Sequence, residues 1–343
     1  MTSLSDPPFR ADHVGSLLRP PALLDARERH AAGTLDDAGL RAVEDDAIRD
    51  VVAMQENLGL HTATDGEFRR TSWHMDFIHR LGGVSATDER IRVRMINAEG
   101  ESAFTSAGLA IDGKVRLDQP IFADDYRFLA GLTTTATAKL TIPSPSMVHY
   151  RGGTAAIDKS VSPDVEEFWA DLSAAYAAEI AAIGELGCRY LQLRYIRQIN
   201  AAVANRPDGM RITTHMCRGN YRSSWAAEGG YDYVAEALFG ELDVDGFFCE
   251  FDDERSGGFE PLRFVPAGKR VVLGLVTTKR GALENPDDLK RRIDEAAEYV
   301  PLDQLCLSPQ CGFSSTVEGN SLTAEEQVAK LRLIVDVARD VWG

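Results

Sequence analysis

The sequence predicts an α/β protein, a (β/α)8 TIM barrel with an inserted β-hairpin. Three observations lead there. Short apolar strands alternate with longer amphipathic helical stretches, and the chain gives eight strand-then-helix units. The stretch at 270–276, Arg-Val-Val-Leu-Gly-Leu-Val, is almost wholly apolar, as befits a parallel strand buried on both faces. No Gly-x-Gly-x-x-Gly fingerprint opens a helix, which disfavours a doubly wound dinucleotide-binding sheet. A length of 343 residues is normal for one large barrel with insertions, so residues 1–343 are expected to form a single catalytic barrel domain.

Residues 10–16 read as the first strand, ending in a Gly-Ser pair whose backbone amides can approach an anion closely. A long helical pattern follows at 36–58, with Leu40, Val43, Ile48, Val51 and Val52 near helical spacing. Residues 61–67 form the second strand and its exit loop, which places Glu67 at the barrel mouth. The aromatic run around Trp73 suits a pocket wall. Residues 86–120 then interrupt the rhythm. Arg90-Ile-Arg-Val-Arg-Met95 alternates with period two and predicts one strand of an inserted hairpin, with a second strand near 114–117. Such an insertion covers either a sheet edge or the mouth. The alternation resumes with strands at 138–142, 189–193, 210–214, 245–250, 270–276 and 305–307. Helices are expected at 165–186, 231–239, 286–299 and 323–341, several of them opened by proline or acidic residues.

Composition narrows the function class. A net charge of −16, spread along the chain, argues against nucleic acid and anionic membranes as partners, since both select basic patches. No apolar run approaches the roughly 20 residues of a membrane span. The N-terminal stretch lacks the basic and apolar regions of an export signal. Five cysteines are too few and too odd for a disulfide framework and read as thiols or metal ligands in a reducing, cytoplasmic setting.

The sharpest chemical signal is Thr213-Thr-His-Met-Cys-Arg-Gly-Asn220. His215 and Cys217 stand two apart, and in extended backbone residues i and i+2 point to the same side. An imidazole and a thiol can therefore converge on one ion, and soft sulfur with imidazole suits Zn²⁺. Glu250 ends the sixth strand and Cys311 follows the eighth, so four candidate ligands from three strands fall at the C-terminal rim, where barrels of this kind carry their chemistry. Asp252 and Glu254 are nearby alternatives to Glu250. Cys188, Cys249 and Cys306 lie at the other rim, on the opposite face or inside a strand, and read as small buried hydrophobes.

These residues carry a resemblance. His13-Val-Gly-Ser16, Asp65-Gly-Glu67, Ile142-Pro-Ser-Pro145, Thr214-His-Met-Cys217, Glu250 and Pro309-Gln-Cys-Gly312 occur in the order found in the cobalamin-independent methionine synthase family, and the chain resembles its catalytic C-terminal barrel over nearly the whole length. The resemblance implies that His215, Cys217, Glu250 and Cys311 hold Zn²⁺ and that a substrate thiol is activated as its zinc thiolate for alkyl, foremost methyl, transfer. It further implies that Gly15, Ser16 and Glu67 fall where the family binds the carboxylate and ammonium of homocysteine.

Two departures bear on the substrates. Full-length family members have two barrels, and only the catalytic one is matched, which weakens the case for methyl-folate as donor and leaves a methylcobalamin-carrying protein or a small electrophile. Arg194 stands where the family commonly has an acidic residue that meets the homocysteine amino group. A guanidinium suits a carboxylate, sulfonate or phosphate, so an anionic thiol acceptor is expected there, as in the related epoxyalkane:coenzyme M transferases; equally, Arg194 could pair with Glu67. Glu67 and Arg194 are the expected catalytic side chains, and Lys279, at the same rim, is expected to steady an anionic substrate. His149 and Arg151 are candidate donors to the alkyl carrier, and Trp73, Tyr221 and Trp225 candidate stacking surfaces. A zinc lyase or hydrolase using water as nucleophile, and a barrel that only binds metal or a small ligand, are the competing expectations. A homo-oligomer is left open.

Overall fold

The computed structural model describes residues 6–97, 100–194 and 199–343. In chain order its strands are β1 (Thr62–Ala63), β2 (Gly82–Asn97), β3 (Gly100–Arg116), β4 (Thr137–Pro143), β5 (Tyr190–Arg194), β6 (Arg211–Met216), β7 (Gly246–Glu250), β8 (Arg270–Val276) and β9 (Leu305–Pro309). Seven of them form one curled parallel sheet in the order β1-β4-β5-β6-β7-β8-β9. The eighth stave is the N-terminal segment: Ala11 bridges Leu307 in parallel, with Asp12 N donating to Leu307 O at 3.0 Å and Leu307 N donating to Arg10 O at 2.8 Å. The architecture is the expected TIM-type barrel with an inserted hairpin.

The interior is layered, because side chains two apart on each strand face the axis. Lys139, Tyr190, Thr213, Phe248, Val272 and Cys306 come from the six neighbouring strands β4 to β9 and lie in one buried layer. Lys139 is held by Asp12 Oδ1 at 3.2 Å and His13 O at 2.6 Å, over the Phe248 ring at 4.1 Å. The next positions along the same strands, among them Thr141, Gln192, His215, Glu250 and Ser308, form a polar layer toward the C-terminal rim. The outward-facing residues Leu140, Leu191, Ile212, Phe247, Leu273 and Leu305 pack into the main apolar core with the helices. The larger of these are α1 (Asp37–Asn57), α2 (Val165–Glu185), α3 (Pro286–Ala297) and α4 (Ala324–Trp342). Asp36, Asp164, Asn285 and Thr323 cap them by accepting from backbone N–H groups of the first turn.

The hairpin and one helix differ most from expectation. The hairpin begins at Gly82 rather than 86 and ends at Arg116, and its second strand starts at Gly100 rather than near 114. Residues 100–110 are mostly small or polar and carry little intrinsic strand signal; the ladder with β2, running from Asn97↔Gly100 to Gly82↔Arg116, supplies it. The helix expected at 231–239 begins only at Ala235. Tyr231 is drawn off the helical path: its buried hydroxyl accepts from Glu250 N at 2.8 Å and from Arg218 at 3.1 Å.

Candidate metal centre

β6 continues through Met216, one turn of pleat further than expected, so His215 projects from the strand itself and Cys217 from the first residue beyond it. Glu250 is the last residue of β7, and Cys311 lies two residues past β9. The structure brings the four together: one donor atom from each of His215, Cys217, Glu250 and Cys311 lies within 4.8 Å of all the others. The two sulfurs are 3.6 Å apart. Donor atoms of a tetrahedral zinc-type set stand roughly 3.3–3.8 Å from one another, given metal–nitrogen and metal–sulfur bonds of about 2.0 and 2.3 Å.

The chemistry of the set fits a soft divalent ion. His215 and Glu250 are fully buried, and among the described residues both imidazole nitrogens and Glu250 Oε2 lack hydrogen-bond partners. Burying such groups unsatisfied is costly, and a shared cation removes the cost. Burial pushes the Glu250 carboxyl upward, opposed first by the charge of Lys279. Asp252 does not compete for the centre; it pairs with Arg255 at 3.0 Å. Glu254 opens a 3-10 turn beyond it. Cys188, Cys249 and Cys306 are buried elsewhere, and desolvation pushes their thiols up to about 12, 12 and 11.

Residues not expected from sequence to take part hold the ligands in place. Gln310 Nε2 donates to Glu250 Oε1 at 2.9 Å, and Thr278 Oγ1 donates to Gln310 Oε1 at 3.1 Å. Gly274 makes this approach possible: a Cβ there would stand 2.9 Å from Gln310 Cα and 2.8 Å from Cys249 O. Arg218, next to Cys217, donates to Gly229 O, Tyr231 Oη and Glu250 O, lies over the Tyr231 ring at 4.4 Å, and stands 3.7 Å from Glu250 Oε2. The only sequence signal for either was adjacency to a ligand.

Two recesses lie near this rim, the first lined in part by Cys217. On the Cys217 side is a cavity walled by Trp73, His74, Tyr150 and Tyr221 and roofed by Val93, Met95 and Phe104 of the hairpin. Val93 and Phe104 are ladder partners and so share a face, and Phe104 packs on Tyr221 with centroids 4.8 Å apart. The hairpin is tied down where Ile96 exchanges backbone hydrogen bonds with Trp225 at 2.7 and 2.8 Å. The insertion therefore covers the mouth. The second recess is an open polar cleft lined by Arg222, Asp252, Thr277, Lys279 and Asn320 among others. Trp225 lines this cleft and not the aromatic cavity.

Comparison with known proteins gives this geometry a lineage. The catalytic-domain model of the cobalamin-independent synthases matches residues 195–340. The uncharacterised Bacillus subtilis proteins YxjH and YxjG are each 46% identical, over 98% of this chain and 95% of their own. A solved Listeria monocytogenes structure, provisionally described as a vitamin-B12 independent methionine synthase, superimposes with a TM-score of 0.79 at 36% identity, covering 98% of this chain and 99% of that one. The chain belongs to the cobalamin-independent methionine synthase family. A B12-independent methionine synthase from Shewanella, solved with selenomethionine, shares the fold at a TM-score of 0.76, with 19% identity over 97% of both chains.

The remaining residues that resemblance to the synthase family singled out fall as follows. Gly15 has φ +131, and a Cβ there would meet Thr141 Cγ2 at 2.6 Å, so only glycine fits beside β4. Ser16 is buried, its hydroxyl has no partner among the described residues, and it lies so close to Gly312 that a Cβ on that glycine would stand 1.9 Å from Ser16 Oγ. Ser16 thus abuts the residue after Cys311. Glu67 is 1% exposed and not a solvated loop carboxylate. It adopts φ 60, a conformation costly for a side-chain-bearing residue. Its Oε1 accepts from Thr141 Oγ1 at 2.7 Å and lies 3.7 Å from Arg70. The backbone of Arg194 aligns with His215 on β6 and Pro143 on β4, while its side chain lies outside the described residues, as does that of Arg151. His149 packs against Trp169 at 5.1 Å and is not part of the lining of the cavity at Cys217.

Proposed function

We propose that the chain is a zinc-dependent enzyme that transfers an alkyl group, foremost methyl, to a small thiol. The observation that carries this is the His215–Cys217–Glu250–Cys311 cluster, two sulfurs included, with Cys217 in the wall of an aromatic cavity. A zinc ion there would lower the pKa of a bound thiol while leaving its sulfur nucleophilic, because the ligand set already donates strongly. Everything else is done by the protein. The backbone of Gly15 and Ser16 and the carboxylate of Glu67 hold the polar end of the acceptor; Thr141 and Arg70 orient Glu67. The hairpin excludes water from the cavity and presents an apolar face to the donor. Its described lining contains no lysine or arginine, which favours a compact or flat donor over one recognised by an anionic tail. We propose further that residues 1–343 act as one catalytic unit. A cytoplasmic location accords with the thiol ligands, and no helix of the described residues is long and apolar enough to cross a membrane.

The relatives named methionine synthase, such as that of Pyrococcus horikoshii at 23% identity over 88% of this chain, favour homocysteine as acceptor. Arg194 favours an acceptor with an added anion. The purified zinc-loaded chain is to be incubated with homocysteine or 2-mercaptoethanesulfonate, each with a panel of methyl donors, and thioether formation read by mass spectrometry. Thioether from at least one pair is expected. Preference for homocysteine would remove the anionic-thiol alternative, and hydrolysis of donors without thioether would contradict thiol transfer itself.

A further inference from the structure

Gln192 lies on β5, in the polar layer that also holds Thr141, His215 and Glu250, and is fully buried. Its amide is fixed in one orientation. Nε2 donates to Val14 O at 2.7 Å. A carbonyl oxygen can only accept, so the NH2 end must face Val14 and Oε1 is turned away from it. There Oε1 has no hydrogen-bond partner among the described residues. A buried amide oxygen without a donor is costly, and whatever relieves it must donate.

The surroundings select which donor. Thr141 on β4 is the ladder partner of Gln192, so the two side chains stand on one face of neighbouring strands, about 4.8 Å apart. Thr141 Oγ1 donates to Glu67 Oε1 at 2.7 Å. On the other side, Val14 leads directly into Gly15, where an added Cβ would stand 3.6 Å from the same Glu67 oxygen. Gln192 Oε1 is thus an uncharged acceptor near a carboxylate, and such a pair of acceptors favours a positively charged donor. Glu67 Oε1 is already served by Thr141 and lies 3.7 Å from Arg70, so by itself it selects a cation less sharply. A primary ammonium carries three donors and can serve both side chains.

Resting on the thiol-transfer function proposed above, we infer that Gln192 is a specificity-determining residue whose Oε1 accepts from an ammonium on the acceptor thiol. The acceptor is then an amino-bearing thiol, with Glu67 and Gln192 on its nitrogen and the Gly15–Ser16 backbone on its carboxylate. Gln192 supplies a share of amine recognition that Arg194 cannot, since a guanidinium only donates. The competing role for Gln192 is mechanical: its bond to Val14 O steadies the segment that leads into Gly15 and Ser16. That role would act on every acceptor with a carboxylate, amine or not, and the two roles are separable by measurement.

The test is calorimetric titration of the full zinc-loaded chain with L-methionine, the methylated form of homocysteine, and with 4-(methylthio)butanoate, the same molecule without its amino group. The unmodified chain is expected to bind L-methionine more tightly by about tenfold or more. Gln192→Met is expected to lose about tenfold in L-methionine affinity and to bind the des-amino ligand as before. Gln192→Leu is a second apolar variant, and the unmodified chain alone already tests the preference. Equal binding of the two ligands by the unmodified chain would overturn the inference, as would a variant that weakens both by the same factor or neither. Methyl transfer to 4-mercaptobutanoate as efficient as to homocysteine would leave thiol transfer standing and remove only the amine recognition. No thioether from any thiol would overturn the transfer reading itself.

Discussion

Cys311→Ser is expected to empty the metal centre: zinc should fall from one equivalent per chain to below about 0.1 after dialysis against a chelator, and thioether formation by about a thousandfold or more. The size of the effect follows from the ligand count. Cys311 is fully buried, and its sulfur lies 3.6 Å from that of Cys217, so no water route offers a replacement sulfur donor. A serine hydroxyl is a harder donor that stays protonated at neutral pH. Cys217→Ser should behave alike. Cys249→Ala is the control. Cys249 is the neighbour of a ligand, yet it faces the outer apolar core, so it should retain full zinc and lose only packing energy. Metal content by mass spectrometry of the native protein reads all three. Full zinc in Cys311→Ser would mean that the cluster is not the site.

Asp12→Ala is expected to destabilise the fold by about 3–5 kcal/mol, because it removes one member of a fully buried ion pair. Asp12 and Lys139 are both 0% exposed at their side chains, 3.2 Å apart. Asp12 also accepts from Tyr190 Oη at 2.8 Å, from Phe9 N at 3.1 Å and from His13 N at 2.7 Å. It therefore ties the N-terminal stave, which bridges β9 at the end of the sheet, to β4 and β5 across the barrel interior. Asp12→Ala leaves the Lys139 ammonium in the interior without that carboxylate. The double variant Asp12→Asn/Lys139→Met should regain part of the loss, since an uncharged pair of similar volume avoids the desolvation of two ions. Denaturant unfolding of the three proteins gives the answer; a cost below about 1 kcal/mol for Asp12→Ala would show that closure does not depend on this pair.

Legibility in the sequence tracked the range of the interaction. His215 and Cys217 were readable because strand geometry alone places residues i and i+2 together. Glu250 and Cys311 became readable only once the strands had been counted, since a barrel converts strand order into proximity at one rim. The choice of Glu250 over Asp252 and Glu254 was not settled by position; the Arg255 pair that occupies Asp252 is a tertiary fact. The extent of the hairpin was missed because residues 100–110 owe their strand conformation to β2 and not to their own side chains. Its role as a roof was hidden too, because nothing in Val93 or Phe104 says what lies beneath them. Gln310 and Arg218 were invisible for the same reason: their hydrogen bonds depend on the bare backbone of Gly274 and on a tyrosine withdrawn from a helix.

The most direct measurement is zinc K-edge X-ray absorption on the purified chain. Cys217 and Cys311 on one ion predict two sulfur scatterers at about 2.3 Å with lighter nitrogen and oxygen scatterers near 2.0 Å. A first shell without sulfur, or with four light atoms, would contradict the convergence of β6, β7 and the loop after β9 on a single thiol-activating centre.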